Sequence, residues 1–153
     1  MPDIFISYSH QDEELANKLK KSFDEHQLST FLAGLSLPAG ENWTENILES
    51  LRSAKWVFVL ATPDSMASNA VQQEIGGALY GKKNIVPIMV GLGPEDLPRW
   101  LSDFQGVVAS ENDPAEISAQ LSKIAAKIRS DKDVAFLVTA GVLAFAAYFL
   151  LRK

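Results

Sequence analysis

The sequence predicts an α/β fold, a flavodoxin-like five-stranded parallel sheet with helices on both faces, followed by a C-terminal transmembrane helix. Short apolar runs alternate with amphipathic segments about five times, which is typical of parallel sheets covered by helices. An uncharged run of 18 residues, 134–151, comes after the last amphipathic segment. These observations divide the chain into a domain at 1–130 and a membrane anchor with short flanks at 131–153.

Five runs rich in Ile, Val, Phe or Tyr are predicted to form the strands. They cover residues 3–8, 29–32, 55–61, 84–90 and 104–109. Leu15, Leu19 and Phe23 recur every four residues, which predicts a helix after the first strand. Ser9, with Asp12 three residues later, resembles a capping box for that helix.

Two further helices are predicted from caps and periodicity. One begins at about Asn42, because Asn42 and Glu45 are placed to cap it. The last soluble helix carries an apolar stripe of Ile117, Leu121, Ile124 and Ile128.

Composition excludes several kinds of chemistry. The 153 residues contain no cysteine, which excludes disulfides, thiolate metal sites and a cysteine nucleophile. The two histidines, His10 and His26, have no metal-ligand spacing, so we expect no metal site. A net charge of −5 argues against nucleic acid as a partner.

The apolar run 134–151 would form roughly 27 Å of helix, close to the thickness of a bilayer's hydrocarbon core. The alternative is a buried core helix, although the soluble fold is already complete before this run. Since 1–14 has no basic start and no long apolar run, we expect no signal peptide. The protein is therefore expected to be tail-anchored and single-pass in the cell inner membrane, with the domain in the cytoplasm.

One carboxylate is placed near the expected ligand site. In a doubly wound sheet, ligands bind outside the carboxyl ends of the strands where the strand order reverses, here between the first and third strands. The loops at 9–12 and 62–68 follow those strands, and the second leads into a helix that carries Glu74. Helical side chains lean toward the helix N-terminus, so Glu74 can point back to the crevice. Spacing alone favours an ordinary surface glutamate, like Glu45 or Glu49.

Five stretches resemble, in order and spacing, the Toll/interleukin-receptor (TIR) domain in its bacterial form, over residues 3–130. They read FISYSHQDEELANKLKKSF, FLAGLSLPAGENW, ILESLRSAKWVFVLATPDSMAS, QQEIGGAL and NIVPIMV. The resemblance implies that Glu74 is the glutamate with which such domains cleave NAD at the nicotinamide glycosidic bond. NAD is then the substrate, and no cofactor is expected.

A single carboxylate is chemically sufficient for that reaction. Ordinary glycosidases use two, one of them to protonate a poor leaving group. Nicotinamide is cationic in NAD and leaves neutral, so no general acid is needed. One anion can stabilise the developing oxocarbenium ion of the ribose.

The resemblance also implies a set of pocket residues. Tyr8 and Ser9 match family positions that line the ribose or nicotinamide site, although an edge aromatic and a helix cap explain them equally well. The loop 33–41 would gate the pocket and contact a neighbouring domain through Leu35 and Leu37, unless these leucines tuck against the sheet.

Two features depart from the family pattern. Ala70 stands where many NAD-cleaving bacterial relatives have a tryptophan, and Leu32 and Ala33 stand where relatives often have an acidic residue. Trp43, next to the loop, could stack on a ligand ring or belong to the core. Gly76 and Gly77, each unfavourable in a helix interior, suggest close packing of their helix.

The apolar run predicts a membrane tether, and the resemblance implies an NAD glycohydrolase or ADP-ribosyl cyclase that acts on self-assembly in bacterial antiviral defence or signalling. The alternative is a non-enzymatic adaptor that associates with other TIR domains. A different nucleotide-binding protein lacks support, because the chain has neither GxGxxG nor GxxxxGK[ST].

Overall fold

The computed structural model describes residues 1–33, 43–109 and 119–133. The strands are β1 (Ile4–Ser7), β2 (Thr30–Ala33), β3 (Trp56–Ala61), β4 (Asn84–Val90) and β5 (Val107–Ala109). The helices are α1 (Glu13–Glu25), α2 (Trp43–Ser53), α3 (Pro63–Ala67), α4 (Asn69–Tyr80), α5 (Arg99–Ser102) and α6 (119–133). Short 3-10 turns cover His10–Asp12 and Pro94–Asp96.

The strands form one sheet in the order β2-β1-β3-β4-β5, and each neighbouring pair is parallel. This confirms the predicted five-stranded parallel sheet. The strand order reverses beside β1, which lies between β2 and β3. The crevice expected for a ligand therefore lies at the carboxyl ends of β1 and β3.

Alternating residues of β1 separate two cores, one on each face of the sheet. Ile4 and Ile6 join the core under α1 and α6, whereas Phe5 joins the core under α2, α4 and α5. The α1 side contributes Leu19 and Phe23 as predicted, with Leu15 partly buried against them. Apolar residues of all five strands are thus buried between helical layers.

The final helix behaves as its apolar stripe predicts over the part that is described. Leu121 and Ile128 are buried in the α1-side core, and Ile124 packs against it. Ile117 lies outside the described residues, as do Asn42, Leu35 and Leu37.

Two local predictions are wrong. The fifth strand begins at Val107 rather than at 104, and Gly106 lies so close to Pro87 that an added Cβ would overlap its carbonyl oxygen. Ser9 does not form a capping box with Asp12. Its hydroxyl accepts from the Gln11 amide at 3.3 Å and caps the first 3-10 turn, and the Asp12 side chain makes no cap hydrogen bond at the start of α1.

Within 1–33, 43–109 and 119–133, none of the helices has the length and apolarity needed to span a bilayer. The run 134–151, on which the transmembrane prediction rests, lies outside these ranges.

Candidate active site

Glu74 lies on the sixth residue of α4, and its side chain is only 6% exposed. The helix begins with Ser68 as its N-cap, whose hydroxyl accepts from the Val71 amide at 3.4 Å. Val71 and Ile75 anchor α4 in the core beneath it. Because Glu74 is early in the helix, its side chain reaches back to the end of β1.

Ser7, the last residue of β1, donates a hydrogen bond from its hydroxyl to Oε2 of Glu74 at 2.5 Å. Ser7 is fully buried. The bond joins the carboxyl end of β1 to the second turn of α4. The carboxylate is therefore held at the point where a ligand is expected.

The second oxygen of the carboxylate, Oε1, makes no hydrogen bond to any residue that the structure describes. Among those residues no fully buried side-chain oxygen or nitrogen lacks a partner. Among the described residues, one oxygen is therefore held by Ser7 and the other has no hydrogen-bond partner.

Burial raises the pKa of Glu74 from its ordinary 4.5 to about 7, and the hydrogen bond from Ser7 partly opposes this shift. Desolvation disfavours the charged carboxylate, whereas a donor to the carboxylate favours it. Glu74 therefore changes its charge close to neutral pH.

Tyr8 and Ser9 directly follow the strand that carries Ser7. Tyr8 is 4% exposed and packs in the α1-side core. Burial raises the pKa of its phenol, and the carboxylates of Glu13 and Glu74 raise it further. Ser9 is also buried and acts as the cap described above. Glu74 is thus close enough to Tyr8 to influence it, although the ring itself belongs to the core.

The remaining predicted pocket residues lie on both faces of the sheet. Ala33 pairs with Ser7 in the strand register and is buried on the α4 side. Leu32 pairs with Ile6 and packs against the α1-side core, on the opposite face from Glu74. Trp43 begins α2, and its side chain lies outside the described residues. Ala70 is half-buried, one helical turn before Glu74.

A second polar contact crosses the crevice between the loops that follow β1 and β3. The Thr62 hydroxyl donates to Oδ2 of Asp12 at 2.6 Å. The same hydroxyl accepts from the Ser65 amide at 3.1 Å and forms a capping box at the start of α3. This contact, named here the Asp12–Thr62 bridge, fixes the two loops to each other.

The sequence-based prediction missed Ser7 and the Asp12–Thr62 bridge. A signal for Ser7 existed, because alternation along β1 places it with Phe5 on the α4 face, as a polar residue at the end of a buried strand. For the bridge there was no such signal, since its two residues are 50 positions apart.

Two comparisons with known proteins indicate the same family. The family model described as "TIR domain" matches residues 4–137. The NAD(+) hydrolase SARM1 of Danio rerio is 33% identical over 121 residues, which is 69% of this chain and 17% of that protein. The chain therefore spans about a sixth of the length of that relative.

Solved structures share the fold. The TIR domain of the Toll-related receptor TRR-2 from Hydra magnipapillata superposes with a TM-score of 0.69 at 20% identity, over 84% of this chain and 99% of that one. A metazoan TIR-STING receptor from C. gigas gives 0.64 at 20% identity, over 84% of this chain and 40% of that chain.

Proposed function

Because the chain belongs to the TIR domain family, we propose that it cleaves NAD at the bond between nicotinamide and ribose, with Glu74 as the catalytic carboxylate. One observation carries the proposal. A buried carboxylate stands at the crevice with one oxygen held by Ser7 and the other without a partner among the described residues. The relative named as an NAD(+) hydrolase supports this choice of substrate.

The proposed reaction requires one anionic group and no general acid. As the glycosidic bond breaks, its electron pair passes to the nicotinamide ring, which leaves neutral, and positive charge develops on the ribose. Oε1 of Glu74 stabilises that charge, either directly or through a ribose hydroxyl. Water then adds to the ribose carbon and releases a proton, or the adenine ring of the same molecule adds instead and gives a cyclic product.

The perturbed pKa of Glu74 fits this role. The free site is about half protonated near pH 7, because burial raises the pKa of Glu74 to about 7. Binding of NAD brings the cationic nicotinamide close to the carboxylate, which favours the anion. We propose that the substrate itself completes the ionisation of Glu74. Tyr8, Ser9 and Ala33 would border the ribose or nicotinamide, with Trp43 as a further contact. Leu32 packs on the opposite face of the sheet and is left out of the proposed site.

Assembly and membrane tethering belong to the same proposal. Self-association through the loop 33–41 would bring further groups to the pocket, and the run 134–151 would hold the chain in the inner membrane with the domain in the cytoplasm. A role in bacterial antiviral defence follows only from the resemblance described above.

A non-enzymatic adaptor is the second candidate, and two observations favour it. Ala70 offers only a methyl group one turn before Glu74, so α4 supplies no aromatic wall for the substrate. The loops around the crevice carry the carboxylates of Asp12, Glu13 and Asp64, which would repel the pyrophosphate of NAD. An adaptor would associate with other TIR domains and leave NAD unchanged.

NAD consumption by the full chain in lipid vesicles distinguishes the two functions. Glu74→Gln keeps the size of the side chain and its ability to accept from Ser7, but removes the charge. We expect turnover to fall by about 10²–10³-fold, as for the loss of one preorganised electrostatic partner. Glu45→Gln, an exposed glutamate on α2, is the matched control and should retain wild-type turnover.

Two results would contradict the proposal. Full turnover in Glu74→Gln would remove Glu74 from the reaction. The absence of NAD consumption in the wild type at every protein density on the vesicles would favour the adaptor.

A further inference from the structure

We propose that the end of the domain at which the strands begin is a docking face for anionic lipid headgroups, and that docking holds the Glu74 crevice on the side away from the bilayer. This inference rests on the membrane anchor proposed above and is independent of NAD cleavage.

Cations cluster at this end of the sheet, which we name the basic end. It contains Arg52, Lys55, Lys82, Lys83, Lys127 and Arg129. All are exposed except Lys83, which is half-buried. The whole chain carries 14 basic and 19 acidic residues. A surplus of cations at one end of the domain therefore does not follow from the overall composition.

Backbone contacts place the cations of the loops side by side. The Asn84 amide donates to the Lys55 carbonyl at 3.0 Å, which sets the starts of β3 and β4 next to each other. The Lys83 ammonium donates to the Arg52 carbonyl at the end of α2, at 2.5 Å. The loops before two neighbouring strands thus form one cationic surface.

The end of α6 lies on the same surface. The Lys127 ammonium is 5.8 Å from the ring centroid of Trp56, the first residue of β3. Lys132 pairs with Asp3, just before β1, at 3.0 Å. These two contacts join α6 to the starts of β1 and β3.

Carboxylates do not neutralise the basic end. Six carboxylates lie near this end, on Asp3, Asp24, Glu25, Asp103, Asp131 and Asp133. Asp3 pairs with Lys132 and Asp24 with Lys20, so the four that remain are fewer than the six cations named above. In the described ranges, the ion pairs found join Lys18 to Glu14, Lys20 to Asp24 and Lys132 to Asp3. None of them engages a cation of the basic end as defined.

The opposite end of the domain, where the strands finish, is acidic. Helix starts and turns there carry Asp12, Glu13, Glu14, Asp64, Glu95 and Asp96. Helix dipoles favour acids at helix starts and cations in last turns, which accounts for Glu13 and for Arg52. They do not account for Lys55, Lys82 and Lys83, which lie outside the helices, before strands.

The position of the proposed anchor identifies the occupant. Residue 133 is the last described residue of α6, and the uncharged run begins at 134. Only one peptide bond separates residue 133 from that run. If the run inserts in a bilayer, the basic end therefore lies next to the headgroups. Cations close to an anionic leaflet are attracted to it over about one Debye length, roughly 8 Å at physiological salt. The acidic crevice end then faces away from the bilayer.

The test uses the full chain in vesicles of neutral phosphatidylcholine and in vesicles that contain 30% phosphatidylserine, on the order of a cytoplasmic leaflet's charge. Amine acetylation, read by mass spectrometry, reports how accessible each lysine is. We expect Lys55 and Lys82 to react at least about fivefold more slowly on the anionic vesicles at low salt, and to recover when salt screens the headgroups. Lys18, 71% exposed on α1, is the internal control and should react equally on both.

A charge-reversed variant sharpens the test. Lys55→Glu/Lys82→Glu should lose the slowing at Lys83, whereas Lys18→Glu/Lys21→Glu, on α1, should keep it. Equal acetylation of Lys55 and Lys82 on both vesicles would overturn the proposal. Slowing that depends on protein density rather than on lipid charge would overturn it in favour of a second copy as the occupant.

Flotation separates this proposal from the one on which it rests. A chain that floats with neutral vesicles at high salt is anchored, so a failure of the lysine test then concerns only docking. A chain that does not float lacks the anchor, which overturns both the tether and the docking face. NAD turnover is not measured in any of these experiments.

Discussion

Ser7 and Glu74 are 67 positions apart in the sequence and are joined by a buried hydrogen bond of 2.5 Å. The bond ties the last residue of a sheet strand to the second turn of a helix, and burial of the same carboxylate raises its pKa to about 7. Ser7 therefore positions the candidate catalytic carboxylate, and burial raises its pKa.

The pH dependence of NAD cleavage follows from this pKa. If the anion of Glu74 is the active form, as proposed, kcat/KM should rise with pH and level off above about 7, where the carboxyl of the free chain is ionised. The kcat profile should inflect at a lower pH, because bound cationic nicotinamide favours the anion. Steady-state rates between pH 5 and 9 test this. A kcat/KM that is flat or falling between pH 6 and 8 would contradict it.

Stability should show the opposite trend with pH. The pKa of Glu74 is higher in the folded state, about 7, than its ordinary 4.5, so the folded chain binds more protons between these values. The free energy of unfolding should therefore fall as pH rises from about 4.5 to 7, by up to about 3 kcal/mol from this group. Glu74→Gln removes that dependence and should be more stable than the wild type at pH 8.

Thermal unfolding of both chains at pH 5 and pH 8, in the same detergent, measures this difference. The stability gap between Glu74→Gln and the wild type should grow in the mutant's favour from pH 5 to pH 8. An equal gap at both pH values would show that Glu74 ionises normally in the folded chain.

Replacement of Ser7 tests its control over the carboxylate. Ser7→Ala removes the donor that favours the anion, so the pKa of Glu74 should rise further. We expect NAD cleavage at pH 7 to fall several-fold and to recover in part at pH 9, because the rising acid limb of the profile moves to higher pH. Ser53→Ala removes a hydroxyl that donates to the Ser50 carbonyl within α2, and it should leave the profile unchanged. A rate reduced equally at all pH values would indicate a purely structural role for Ser7.

The sequence predicted the fold well because the signals for it are local. Apolar runs such as 56–61 are buried along their whole length, and the stripe of α1 buries Leu19 and Phe23. Glu74 was singled out by its place after the third strand and by family resemblance. Ser7 and Thr62 were missed because their partners are distant in sequence. The spacing of Ser9 and Asp12 was misread, since spacing does not reveal that the carboxylate bonds another loop.

The two glycines of α4 should respond differently to alanine. An added Cβ at Gly76 meets nothing within 4 Å, whereas one at Gly77 comes within 2.9 Å of Cδ2 of Leu51 on α2. Gly76→Ala should therefore raise the free energy of unfolding by about 1 kcal/mol through helix propensity. Gly77→Ala should gain less or lose stability, because Leu51 is buried and must shift. Denaturant unfolding of both variants is the measurement, and equal gains would contradict close packing at Gly77.

The Asp12–Thr62 bridge should couple the two loops of the crevice energetically. Asp12→Ala removes the acceptor but leaves Thr62 as the cap of α3, so we expect a loss of about 1 kcal/mol in the free energy of unfolding. Thr62→Val removes the bridge and the cap together and should cost about 2 kcal/mol. Thr62→Ser keeps the hydroxyl and is the matched control, with stability close to the wild type.

The double variant decides whether the bridge acts as a unit. If Asp12 and Thr62 stabilise the chain through their 2.6 Å hydrogen bond, the double variant should cost about 1 kcal/mol less than the sum of the single losses, because the bond can be lost only once. Denaturant unfolding of the four chains completes the cycle. Because the bridge joins the loops on either side of the crevice, Thr62→Val should also raise KM for NAD, and Thr62→Ser should not. Strictly additive losses, with an unchanged KM in Thr62→Val, would mean that the loops are held by other contacts.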